Sequence, residues 1–140
     1  MTNEPPVPVR QFPAVRQHMS ITPVTIGHDR SIADAHQTMR AHGIRHLPVL
    51  DGGRIVGVVS ERDLTLLSSL PGVNPDAIPV AEAMVEDVFL VSADAPVGEV
   101  VETMIERKLG SALVGTERHV EGVFTTIDAL RALHALLERP

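Results

Sequence analysis

Apolar and polar positions follow one another along the chain in an order that occurs twice. Val24–Ile26 reads as a short strand. Ser31-Ile-Ala-Asp34 reads as a capping-box start, and Ile32, Ala35 and Met39 mark one face of the helix that follows. Gly43 is placed to stop that helix in a left-handed turn. His46–Leu50 then reads as a strand, Asp51-Gly-Gly53 as a turn and Arg54–Ser60 as the second strand of a hairpin. A helix from Glu61 to Leu70 completes the set. Farther along the order repeats: strand 88–91, helix 97–108, strand 111–115, strand 119–125 and helix 126–137. Pro96 stands at the start of the first of these helices, where a missing N–H costs little.

A constant shift of 65 residues superposes the halves without a gap. Met19 falls on Met84, Ile26 on Val91, Asp29 on Asp94, Met39 on Met104 and Val49 on Val114. Gly57 falls on Gly122, Ser60 on Thr125 and Asp63 on Asp128. The pattern predicts an α+β fold of tandem β-α-β-β-α repeats, packed through their sheets with approximate two-fold symmetry. Residues 15–70 form the first repeat and 80–137 the second. Residues 71–79 carry three prolines and read as a linker, and residues 1–14 as a flexible segment. One repeat has few ways to cover both faces of its sheet, so the two are expected to share a core and to leave two equivalent clefts.

Composition narrows the classes. Aromatic residues make up 2% of the chain, as Phe12, Phe89 and Phe124, so the core must be aliphatic. That scarcity also argues against stacking platforms for single-stranded nucleic acid. There is no cysteine, which excludes disulfides, thiolate metal sites and thiol nucleophiles. No apolar run approaches the roughly 18 residues of a membrane span, and the polar, Pro-rich start is unlike a secretory signal. A cytoplasmic protein is expected. The net charge of −6 is uneven: residues 1–70 carry +1 and residues 71–140 carry −7. Such a chain is a poor general binder of DNA or anionic lipid.

The chemistry-bearing motif is Gly57-Val-Val-Ser60-Glu-Arg-Asp63, repeated as Gly122-Val-Phe-Thr125-Thr-Ile-Asp128. Each lies where a strand hands over to a helix. The glycine lets another group approach the strand closely. The hydroxyl sits among the unpaired N–H groups of a helix start, where an anion is favoured. The aspartate offers two acceptor oxygens, enough for the paired hydroxyls of a ribose. Either motif alone is equally a variant of the capping box. Its doubling, each time after a strand, turns the balance toward a nucleotide.

With these residues the chain resembles a pair of CBS domains, the tandem arrangement called a Bateman module. The resemblance rests on Val15-Arg-Gln-His-Met19, Thr22-Pro-Val24, Gly43-Ile-Arg-His-Leu-Pro-Val49 and Gly57 to Asp63, with Val80-Ala-Glu-Ala-Met84 and Gly122 to Asp128 in the second repeat. It implies adenosyl ligands such as AMP, ADP, ATP or S-adenosylmethionine, with no obligatory cofactor. It also implies a homodimer and a regulatory role toward a separate protein. The family's clefts are built crosswise. Gly57, Ser60, Arg62 and Asp63 would therefore face Asp87, Val88, Leu109, Gly110 and Ser111. Gly122, Thr125 and Asp128 would face Thr22, Ile44, Arg45 and His46.

The repeats differ in ways that bear on affinity. Ile127 stands in the place of Arg62, and Asp87 in the place of Thr22. The carboxylate of Asp87 beside one base pocket tips the expectation toward the Asp128 cleft for a plain nucleotide. The seven histidines are scattered, and Gly43 and Pro48 interrupt the His42/His46 spacing, so no metal site is expected. No G-x-S-x-G or HExxH run is present, and the crosswise arrangement separates Asp63 from Asp128, so catalysis is not expected. The alternative is a structural dimer or adaptor in which both motifs serve only as helix caps.

Overall fold

A computed structural model describes residues 13–21 and 24–139. Most of the segment expected to be flexible, and Thr22, lie outside the described residues. The elements are β1 (Ser20–Ile21), β2 (Ile26–Gly27), α1 (Ile32–His42), β3 (His46–Asp51), β4 (Arg54–Ser60) and α2 (Glu61–Ser68). They continue as β5 (Leu90–Val91), α3 (Val97–Arg107), β6 (Ser111–Thr116), β7 (His119–Thr125) and α4 (Thr126–Leu137). Short 3-10 turns at Val15–Gln17 and Val80–Glu82 precede the two repeats.

Most expected elements appear, with informative differences. The first strand of each repeat is only two residues long, because it exists only where it pairs in parallel with the hairpin, Ile26 opposite Val49 and Leu90 opposite Leu113. Ser31 caps α1 by accepting from the Asp34 N–H at 3.0 Å, but the expected box is half made. The Asp34 carboxylate accepts instead from Arg30 Nε at 3.1 Å. Gly43 does end α1, at φ +62°. The turn at Gly52-Gly53 uses positive φ at both positions, as a tight two-residue hairpin requires.

The sheets show that the sequence repeat is not the packing unit. One sheet runs β2-β3-β4 and the other β1-β7-β6-β5. Thus β1, from the first repeat, lies antiparallel on β7 of the second, with Ser20 opposite Val123. The mirror contact is the bridge from Val85 to Val58 on β4. The same exchange holds the turns: Val15 donates its N–H to Ala95 at 2.8 Å, and Val80 to Arg30 at 2.7 Å.

The expectation of one shared core is corrected. Among the described residues there are two hydrophobic clusters, and Phe124 joins the second. The first gathers Ile32, Met39, Leu47, Val49, Val59 and Leu64 and takes in Val80 from beyond the linker. The second gathers Val100, Met104, Ala112, Val114 and Phe124 and takes in Val15. Leu47, Pro48 and Val49 on β3, and Ala112, Leu113 and Val114 on β6, are buried in unbroken runs, so both faces of each sheet are covered. The residues 71–79 are more than a tether: Val73 and Ile78 pack on the first cluster, and Ile32 donates its N–H to Ile78 at 2.9 Å.

Candidate functional site

The repeated motif makes the same local structure twice. Ser60 and Thr125 are N-caps of α2 and α4, and in both the box is complete. Asp63 N–H donates to Ser60 Oγ at 3.1 Å, and Ser60 N–H returns a bond to Asp63 Oδ2 at 3.2 Å. Asp128 N–H donates to Thr125 Oγ1 at 3.3 Å, and Thr125 N–H to Asp128 Oδ2 at 2.9 Å. Each hydroxyl also donates to its aspartate's Oδ2, at 2.8 Å and 3.1 Å. The capping reading is therefore correct for both motifs. It uses one oxygen of each carboxylate.

The other oxygen separates the two. Asp128 is 2% exposed. Its Oδ1 accepts from Ser20 Oγ at 3.0 Å and lies 3.5 Å from Arg131 Nη1. Asp63 is half-buried, and nothing among the described residues bonds to its Oδ1. The reason is the exchanged segment. Ser20 brings a hydroxyl to Asp128, whereas its counterpart at the 65-residue shift, Val85, has none to offer.

A cavity of about 870 Å³ opens on the Asp63 side. Ser60, Arg62 and Asp63 from the start of α2 line it, with Asp87, Gly110 and Ser111 from the second repeat. These six are brought together as the sequence implied. Glu61, Thr65, Leu66, Val58, Val85, Phe89, Lys108, Leu109 and Leu113 complete the walls. Of these only Leu109 was assigned to the cleft from the sequence; Phe89 and Lys108 carry no motif, and the fold alone delivers them.

The remaining expected residues take several places. Arg45 and His46, assigned to the Asp128 cleft, line the Asp63 cavity, because the paired strands set His46 opposite Ser60. Ile44 packs against the first aliphatic cluster, and Val88 does not line the cavity. Gly57, expected in this cleft, does not line it either. A Cβ on Gly57 would stand 2.6 Å from Met84 Sδ and 3.0 Å from the Val85 carbonyl oxygen. A Cβ on Gly122 would stand 2.6 Å from the Ser20 carbonyl oxygen and 2.8 Å from Met19 Sδ. The close approach that glycine permits here is that of the exchanged segment.

Asp87, expected as a local acid beside the base pocket, has a partner. Arg107 Nη2 donates to Asp87 Oδ1 at 2.7 Å, and its guanidinium stands 5.5 Å from the centre of the Phe89 ring. Asp87 therefore meets the cavity as half of an ion pair. His46 is held below its ordinary pKa by burial, against the pull of Asp63 and Asp128 toward the charged form. Its imidazole is thus kept neutral in the wall. Among the described residues no group of three His, Asp or Glu side chains is placed to hold a metal ion. No helix among them is long and apolar enough to cross a membrane.

Two repeats that exchange their leading segments and leave a cleft between them define a tandem pair of small α+β domains. The CBS domain model matches residues 15–69 and 80–135. The chain belongs to the CBS domain family and contains a CBS domain pair. Hypoxic response protein 1 of Mycobacterium tuberculosis is 27% identical over 126 residues, which cover 88% of each chain. The CBS domain pair of protein MJ0100, in complex with 5-methylthioadenosine and S-adenosyl-L-methionine, superposes with a TM-score of 0.77 at 25% identity, over 89% of this chain and 98% of that one. Hypoxic Response Protein I with two coordinated zinc ions superposes with a TM-score of 0.68 at 26% identity, over 86% and 98%.

Proposed function

We propose that this protein is a regulatory module that binds an adenosyl compound, such as AMP, ADP, ATP or S-adenosylmethionine, in the Asp63 cleft and relays its presence to a separate protein. One observation carries the reading. A half-buried carboxylate with one uncommitted oxygen stands at a helix start, in the wall of a cavity large enough for a nucleotide. Asp63 Oδ1 receives the ribose hydroxyls. Val58, Val85, Leu109 and Leu113 give the base an apolar bed, with Phe89 at its edge. Arg62 faces the ligand's tail. The MJ0100 complex supports the ligand class, since that CBS domain pair holds two adenosyl compounds.

Isothermal calorimetry tests it with AMP, ADP, ATP and S-adenosylmethionine. The wild-type protein binds at least one, and Asp63→Ala weakens it at least tenfold, as loss of a charged acceptor for two donors implies. Absence of heat with all four sinks the reading. The adaptor reading keeps one observation in its favour, that both motifs are complete capping boxes. It predicts that no adenosyl compound raises the melting temperature.

The module acts as a homodimer in this reading. Ile127, Leu130, Leu133, Leu136 and Leu137 leave an apolar surface exposed on α4, and a second copy would cover it. Sedimentation of Leu133→Glu as a monomer, against a wild-type dimer, is the expected result; a monomeric wild type removes this part of the proposal.

A further inference from the structure

Lys108 is the only non-glycine residue with positive φ among the described residues, at +55°. It caps the C-terminus of α3 in the left-handed conformation. Its counterpart at the 65-residue shift is Gly43, at φ +62°, in the same role at the end of α1. A Cβ costs free energy in this conformation and glycine avoids that cost. The first repeat thus takes the unstrained solution and the second does not. A cation near a helix C-terminus meets the negative end of the dipole, which accounts for a basic residue there. It does not account for a lysine at the left-handed position itself, since Arg107 already supplies that charge one residue earlier.

The cavity gives a second observation. Lys108 lines it, together with Arg45 and Arg62. Across the repeat these three fall on Gly43, Gly110 and Ile127, so none of the three cations has a cationic counterpart. None of them forms an ion pair among the described residues, a state they share with Arg40, Arg54, Arg118 and Arg139 outside the cavity. Of the carboxylates in the same wall, Asp87 is held by Arg107 and Asp63 is half-used by its cap, which leaves Glu61.

We propose that Lys108 is a specificity-determining residue that, with Arg45 and Arg62, selects an adenosyl ligand bearing an anionic phosphate tail over one bearing a neutral or sulfonium tail. The inference rests on the adenosyl reading of the Asp63 cleft and goes beyond it by fixing the charge of the ligand. A strained backbone is retained at Lys108 because the side chain it presents serves the cleft. Three cations from three separate segments line one cavity, and a compact ammonium suits a phosphate as a point charge.

The test is calorimetry with adenosine, AMP, ATP and S-adenosylmethionine on the wild type, Lys108→Gly and Lys108→Gln. The glycine variant relieves the backbone, and the glutamine variant keeps the backbone and removes the charge. For the wild type ATP binds more tightly than adenosine and S-adenosylmethionine. Both variants lower the affinity for ATP roughly tenfold and leave that for adenosine unchanged, while Lys108→Gly melts no lower than the wild type. Raised salt reduces the ATP preference of the wild type more than that of either variant. The proposal is overturned, with the adenosyl reading intact, if adenosine binds and the ratio of ATP to adenosine affinity is the same in all three proteins. It is overturned equally if S-adenosylmethionine binds as tightly as ATP. If none of the four ligands binds the wild type, the adenosyl reading fails and the proposal falls with it.

Discussion

Asp63 and Asp128 occupy equivalent places in two copies of one motif and have become different kinds of residue. Each closes a capping box with one oxygen. The remaining oxygen of Asp128 is taken by Ser20 and lies near Arg131, and the side chain is buried. Asp63 lines a cavity, and its remaining oxygen has no bonding partner among the described residues. The difference arises outside the motif, in whether the exchanged segment brings a serine or a valine. The same capping aspartate can therefore have its second oxygen spent on internal bonding or left without a partner, according to the residue the exchanged segment supplies.

Single substitutions at the two aspartates sharpen this contrast the most. Asp128→Ala removes the acceptor of the Thr125 N–H, the Ser20 hydroxyl and Arg131 together. It should lower stability by about 3 kcal/mol, read from chemical denaturation. Asp63→Ala removes little more than a cap and should cost about 1 kcal/mol, while weakening ligand binding at least tenfold. Equal destabilisation by the two would break the comparison.

The glycines offer a second contrast. Gly122→Ala sets a Cβ against the Ser20 backbone oxygen at 2.6 Å, which cannot swing away. Gly57→Ala meets chiefly the Met84 thioether, at 2.6 Å, with the Val85 carbonyl oxygen at 3.0 Å. A flexible methionine yields more readily than a backbone. Gly122→Ala is expected to cost about 2 kcal/mol and Gly57→Ala about 1 kcal/mol, both read as melting-temperature shifts. The reverse order would show that β1 gives way more easily than Met84.

The smallest effect concerns His46, which lies in the cavity wall and feels both aspartates. Its pKa is lowered in the fold, so the unfolded chain binds the proton more readily. Stability from this source is whole above the ordinary histidine range, about 6.5, and is lost as pH falls below it. His46→Asn should flatten the fall in melting temperature between neutral pH and pH of about 5. A fall as steep as that of the wild type would place the acid sensitivity elsewhere.

The sequence was informative where the physics is local. A period of 3.6 or 2, a serine or threonine before a helix, and glycines at a two-residue turn act over a few residues, and a fixed 65-residue shift needs no structure to be seen. The hairpins, the four helices and both caps follow from these. The boundary of the packing unit does not. Val15 and Val80 look like the first residues of their own repeats, yet each completes the other's aliphatic cluster.

The candidate site divides in the same way. Ser60, Arg62, Asp63, Asp87, Gly110 and Ser111 were legible as a set because the family resemblance brings them together, and the cavity contains them all. Which cleft is open was not legible. Asp87 read as a local acid until the fold placed Arg107 against it, 20 residues away. Ser20 had no visible tie to Asp128, 108 residues away. By itself the sequence determined the repeat, its elements and its chemical vocabulary, because these depend on neighbours along the chain. Only the tertiary structure decided which carboxylate remains available, because that depends on the donors the exchanged strands carry to it.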